Sequence, residues 1–121
     1  MRNMAVEKPN IVREKSFDFA IKIIHFCRIL KNMREFVLCD QLLGAGTSVG
    51  ANIEEATQAQ SRPDFVSKMS IALKEAYESR YWLRLILHGK VVVHAEVDVL
   101  LKDIDEIIRI LAKILKTTKA S

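Results

Sequence analysis

An all-α fold, an antiparallel up-down-up-down four-helix bundle, is predicted for this 121-residue chain by three observations. Apolar residues recur at helical spacing through four segments. The connections between those segments are short, which favours antiparallel neighbours. The one strand-like run, "KVVVH", has no partner strand with which to build a sheet. Two prolines, four glycines and 28% charged residues complete a helix-leaning composition of one domain, large enough for a single core.

The first helix is expected over about residues 14–33. One apolar set, Phe17, Ala20, Ile21, Ile24 and Cys27, and a second, Phe19, Ile23, Phe26, Leu30 and Met33, lie on roughly opposite sides of it. A helix apolar on two sides must be buried twice, once in its own core and once against something else.

The second helix, about 36–60, carries Leu38, Leu42, Ala45, Val49, Ile53 and Ala56 in steps of three and four, straight through "GAGTSVG". That unbroken stripe decides against a phosphate-binding loop. Such a loop needs a strand-turn-helix setting, and in the Walker form a Lys followed by Ser or Thr, whereas Gly50 is followed by Ala51 and Asn52. Inside a helix each glycine costs about 1 kcal/mol against Ala. Close approach of another helix along Gly44, Ala45, Gly46, Gly50 and Ala51 is the expected compensation.

A third helix, about 63–88, opens at "SRPDF", with Ser61 as N-cap or Pro63 in the first turn and Asp64 beside the positive helix end. Gly89 is its expected C-terminal cap. Its core face is Phe65, Met69, Ala72, Leu73, Ala76, Leu83 and Ile86, and its far side carries Ile71, Trp82 and Leu85. "GKVVVHAE" is a loop with apolar anchors. The fourth helix, about 96–116, is apolar on one wide face through Val97, Leu100, Leu101, Ile104, Ile107, Ile108, Leu111 and Leu115, and the tail "KTTKAS" is expected to fray. The surplus stripes of helices one and three, Ile71, Trp82 and Leu85 above all, predict a homo-oligomer.

The formal charge of +4 is uneven: +2 over residues 1–15, +3 over residues 113–121 and −1 between. In an antiparallel bundle the start of helix one and the end of helix four share a pole. Arg13, Lys15, Lys113, Lys116 and Lys119 therefore predict a basic end that attracts RNA or DNA through counterion release. The alternative is an adaptor that docks a partner protein. No membrane is expected, because no run of signal-peptide or spanning length occurs, and the protein is expected to be cytoplasmic. Cys27 and Cys39 have neither metal nor redox spacing and read as reduced packing residues.

No enzyme chemistry, metal or cofactor is predicted. Glu54, Glu55, Glu75 and Glu78 have no His three residues on, as di-metal bundle sites require. Arg84 and His88 stand closer together than the Arg and His of helical-bundle ribonucleases of the HEPN class. Asn52, Glu55 and Arg80 are expected to form a polar network that fixes register or holds a ligand. Tyr77, Tyr81 and Trp82 among Lys74, Arg80 and Arg84 form a basic aromatic stretch of the kind that stacks bases, although aromatics at helical spacing more often serve core or interface.

The run from Gln41 to Leu87 resembles the four-helix-bundle proteins encoded in intervening sequences of bacterial 23S rRNA genes, once labelled S23 ribosomal proteins. The resemblance rests on Gln41 and Leu42, on Ser48, Val49, Asn52, Ile53 and Glu55, on Arg62, on Phe65, Ile71, Ala72 and Leu73, and on Trp82 with Leu83. Gly44 departs from it, since related sequences often carry Arg there. The family includes the accessory protein of diversity-generating retroelements, a positively charged pentameric barrel that works with a reverse transcriptase and nucleic acid. The resemblance therefore implies a non-catalytic, pentameric RNA- or DNA-binding accessory bundle, with a reverse transcriptase as a possible partner.

Overall fold

The computed structural model describes the backbone of residues 4–120 and the side chains of residues 10–120. Four helices follow in order: α1 (Met4–Asn32), α2 (Phe36–Thr57), α3 (Arg62–His88) and α4 (Ala95–Ala120). Each packs on the next in the chain, and α4 returns to pack on α1, leaving α1 and α3 on one diagonal and α2 and α4 on the other. This is the antiparallel up-down-up-down bundle, without a strand among the described residues.

Most of the Phe19 set on α1 fills the core, joined by Cys27 from the other set and without Met33. Val12, Phe19, Ile23, Phe26, Cys27 and Leu30 are buried, with Ser16 continuing the same face. That face starts before the first expected turn, so the helix begins at Met4 rather than near residue 14, with Pro9 inside it. Phe17, Ile21, Ile24 and Met33 stay exposed. At the other end α2 stops at Thr57, short of residue 60, while α4 continues through the tail that was expected to fray. The Thr118 hydroxyl helps there by bonding the Ile114 carbonyl at 2.7 Å.

Both helices that run toward the α1–α2 turn end in the same way. Glu35 N–H reaches back to Leu30 O and Arg34 N–H to Lys31 O; Val91 N–H reaches Ile86 O and Lys90 N–H reaches Leu87 O. These paired bonds satisfy the last carbonyls and force the residue after the cap into the left-handed region. Arg34 (φ 63°) and Lys90 (φ 52°) take that conformation, whereas Gly89, the C-cap of α3, keeps a right-handed φ of −78°. Val91 and Val92 then pack on the core as loop anchors. At the start of α3 the Ser61 hydroxyl accepts from Asp64 N–H at 3.2 Å with Pro63 in the first turn, a cap whose loss costs about 1 kcal/mol.

The three glycines of α2 divide by angle around the helix. Gly46 is buried against Ile23 of α1, where an added Cβ would stand 2.9 Å from the Ile23 side chain. Gly50 faces Ser16, whose carbonyl would lie 3.4 Å away. Gly44 points outward with nothing within 4 Å. Close approach thus accounts for two of the three.

Candidate nucleic-acid interface

The cations of the expected basic end fall into two groups. Arg13 lies along Glu54 of α2 in a two-pronged pair, Nε to one oxygen and Nη2 to the other at 3.0 Å. That pairing holds its guanidinium above its ordinary pKa. Lys15 meets Glu106 of α4 at 2.7 Å, and its hydrogen bond holds the Glu106 carboxyl below the usual range. Both cations are already neutralised by partners within the chain. Lys113, Lys116 and Lys119 are exposed on α4 and have no carboxylate within ion-pair distance among the described residues. Among the described residues, the available positive charge at this pole therefore sits on the last turns of α4.

Asn52, Glu55 and Arg80 are not brought together. The Asn52 amide turns back to Ser48 O of its own helix at 2.8 Å, Glu55 pairs with Lys68 of α3 at 3.1 Å, and Arg80 pairs with Asp105 of α4 at 3.0 Å. Arg80 lies on the α4 side of α3, so the expected network is replaced by separate links between neighbouring helices. Among the described residues no cluster of three His, Cys, Asp or Glu side chains could hold a metal ion. Glu75 is the carboxyl with a raised pKa, pushed up first by burial and then by the charge of Glu78.

Of the residues expected at an oligomer interface, Ile71 and Leu85 are exposed. Trp82 is half-buried against the core, its ring edge-on to Tyr81 at 5.1 Å, and its buried indole N–H has no acceptor among the described residues. Sequence spacing gave less weight to Tyr77 and Tyr81, which with Leu85 make an exposed stripe down α3. A matching stripe on α1 is Phe17, Ile21 and Ile24, with Phe17 65% exposed.

The two stripes stand at the same height in the bundle. Lys22 of α1 and Arg80 of α3 reach α4 at Asp103 and Asp105, positions separated by a rise of only about 3 Å. Residues 17 to 24 of α1 are therefore level with residues near 77 to 84 of α3, to within about one turn. A groove of about 580 Å³ opens beside the α1 stripe, between Ile24, Phe36 and Leu43, with Arg28 and Lys31 along it and both cysteines in its lining.

A family profile described as 23S rRNA-intervening sequence protein matches residues 8–113. Among solved structures, a crystal structure of a protein of unknown function from the S23 ribosomal protein family of Bacteroides thetaiotaomicron is 44% identical, with a TM-score of 0.85, and the match covers 90% of this chain and 98% of that one. No curated protein matches the chain. No helix among the described residues is long and apolar enough to cross a membrane.

Proposed function

This chain belongs to the 23S rRNA-intervening sequence protein family, and from that premise we propose that it is a non-catalytic, nucleic-acid-binding accessory bundle acting as a basic homo-oligomer in the cytoplasm. The observation that carries the reading is the triad Lys113, Lys116 and Lys119, unpaired among the described residues, in contrast to Arg13 and Lys15, whose charge is spent on Glu54 and Glu106. Solvated lysines at one end of a helix bind phosphates by releasing counterions, on RNA or DNA alike.

Oligomerisation multiplies that charge. Two different apolar stripes on diagonal helices cannot pair with themselves about one two-fold axis, but each complements the other. Their equal height supports a head-to-tail contact, Phe17, Ile21 and Ile24 of one copy against Tyr77, Tyr81 and Leu85 of the next, without an axial step from copy to copy. Such a contact favours a closed ring over a filament, and the family resemblance supports five copies in it. All copies then present their lysines at the same rim.

A second reading is favoured by the groove beside Phe36: a bundle that docks a partner protein such as a reverse transcriptase and does not touch nucleic acid. Fluorescence anisotropy of a labelled structured RNA and a matched duplex DNA at two salt concentrations separates the two. The lead reading expects saturable binding that weakens with salt, and a Lys113→Glu, Lys116→Glu, Lys119→Glu protein that loses affinity and flattens the salt slope. Absence of binding at low salt overturns it in favour of the adaptor.

A further inference from the structure

The antiparallel turn of α1 into α2 brings together the chain's two cysteines, which lie 12 positions apart. Cys27 Sγ donates to the carbonyl of Cys39 at 3.6 Å, and Cys39 Sγ donates to the carbonyl of Cys27 at 3.5 Å. Each sulfur thus lies against the other residue's own backbone. Burial, followed by the neighbouring Cys39, pushes the Cys27 thiol up to about 12.

This pair has no part in the nucleic-acid reading, and packing alone does not require two thiols at one crossing. The thiol donors are also expendable. Both carbonyls lie within helices, where each accepts a backbone N–H from four residues further on, so removal of the S–H groups orphans no buried acceptor. Both residues line the groove that opens beside Phe36, which gives a small reagent a path to sulfur. Cys39 is the more exposed, at 7% against 3%.

We propose that Cys27 and Cys39 form a reversible dithiol–disulfide pair, oxidised by small-molecule disulfides reaching them through the α1–α2 groove, that staples the two helices together. The Cys39 thiolate attacks one sulfur of the reagent, forming a mixed disulfide and expelling one reagent thiolate. Cys27 then gives up its proton and attacks the Cys39 sulfur, closing the intrachain bond and expelling the second reagent thiolate. Both expelled groups leave as thiols once protonated. Two protein thiols and one reagent disulfide thus become one protein disulfide and two reagent thiols, and the protein loses two hydrogens. A high thiol pKa at Cys27 keeps the reduced state slow to oxidise, so closure depends on the strength and duration of the oxidant.

The test incubates the whole folded chain with oxidised glutathione and follows intact mass, free thiols and thermal unfolding. The expected product has lost two hydrogens and both thiols, and it joins the peptide that holds Cys27 to the one that holds Cys39 within a single chain. Its Tm rises by about 5 °C or more and returns on addition of reductant. Cys27→Ala, which removes the resolving thiol, accumulates the Cys39–glutathione mixed disulfide instead. The proposal is overturned if the wild-type thiols stay free in folded protein, if glutathione remains attached to either cysteine without a link between them, or if the only disulfide joins two chains. All three readouts on wild-type protein stand whether or not a cysteine variant folds.

Discussion

Ile23 of α1 occupies the space that a side chain on Gly46 of α2 would need, its Cγ1 standing 2.9 Å from the position of the missing Cβ. This contact brings the first two helices close enough for Ser16 to lie under Gly50 and for the two cysteines to meet one another's backbones. The glycine sequence is therefore explained by a helix crossing.

Gly46→Ala and Gly44→Ala should move stability in opposite directions, although both exchange the same residues on the same helix. At Gly46 the new methyl must displace a branched, buried side chain, and a net loss of about 1–2 kcal/mol is expected after the helix-propensity gain is credited. Gly44→Ala meets open space and should gain up to about 1 kcal/mol. Urea unfolding of both proteins checks the pair, and equal effects would contradict the crossing.

Lys90→Gly and Arg34→Gly should each stabilise the fold by about 0.5–1 kcal/mol, since each residue holds a positive φ that glycine adopts without a Cβ clash. Differential thermal unfolding measures this. A loss of stability on both changes would mean that the side chains make contacts worth more than the backbone strain.

Glu75→Gln should stabilise the protein at neutral pH, because burial and the adjacent Glu78 oppose the charge of Glu75. A carboxyl with a raised folded pKa favours folding most when it is protonated in both states. Wild-type stability from this group should fall as pH rises from its ordinary value of 4.5 through the raised one, and then level off. The gain from Gln should accordingly vanish in acid and reach a plateau above that window, as urea titrations across pH would record.

In the proposed ring, Ile21→Glu and Tyr81→Glu should each break the contact between copies and leave monomers with an intact helical spectrum, since both residues are exposed and neither fills the core. Light scattering reads the mass. A glutamate at Ala112, exposed on the charged face of α4, should leave the assembly unchanged.

The helices and their order were legible because a repeat of three and four residues runs straight through Gly44, Gly46 and Gly50, and no paired β pattern competes with it. The periodicity of α1 showed two apolar faces, but not which one turns inward. That choice follows from how Val12 and Ser16 extend the Phe19 and Ile23 face. The Asn52, Glu55 and Arg80 grouping failed for a related reason. A polar side chain at the edge of a core stripe has several neighbours within reach, and a small rotation sends Glu55 to Lys68 and Arg80 to Asp105. The cysteine pair was hidden because its signal is the register of two helices joined by a tight turn, which neither residue's own spacing reveals. The expected start of α1 near residue 14 falls about ten residues late, because the helix runs on through Pro9 from Met4.

Every seam between neighbouring helices carries its own opposite-charge link: Arg13 with Glu54, Glu55 with Lys68, Arg80 with Asp105, and Lys15 and Lys22 with Glu106 and Asp103. All are at least partly open to solvent, so each contributes little to stability. Their value lies in discrimination. Four antiparallel helices of similar apolarity can wind around a core in either of two mirror-related circular orders, and hydrophobic burial alone separates the two weakly. Swapping the direction of winding would turn these side chains away from their partners and leave unmatched charges at the seams. The surface pairs thus act as a handedness code, read once as the chain closes on itself.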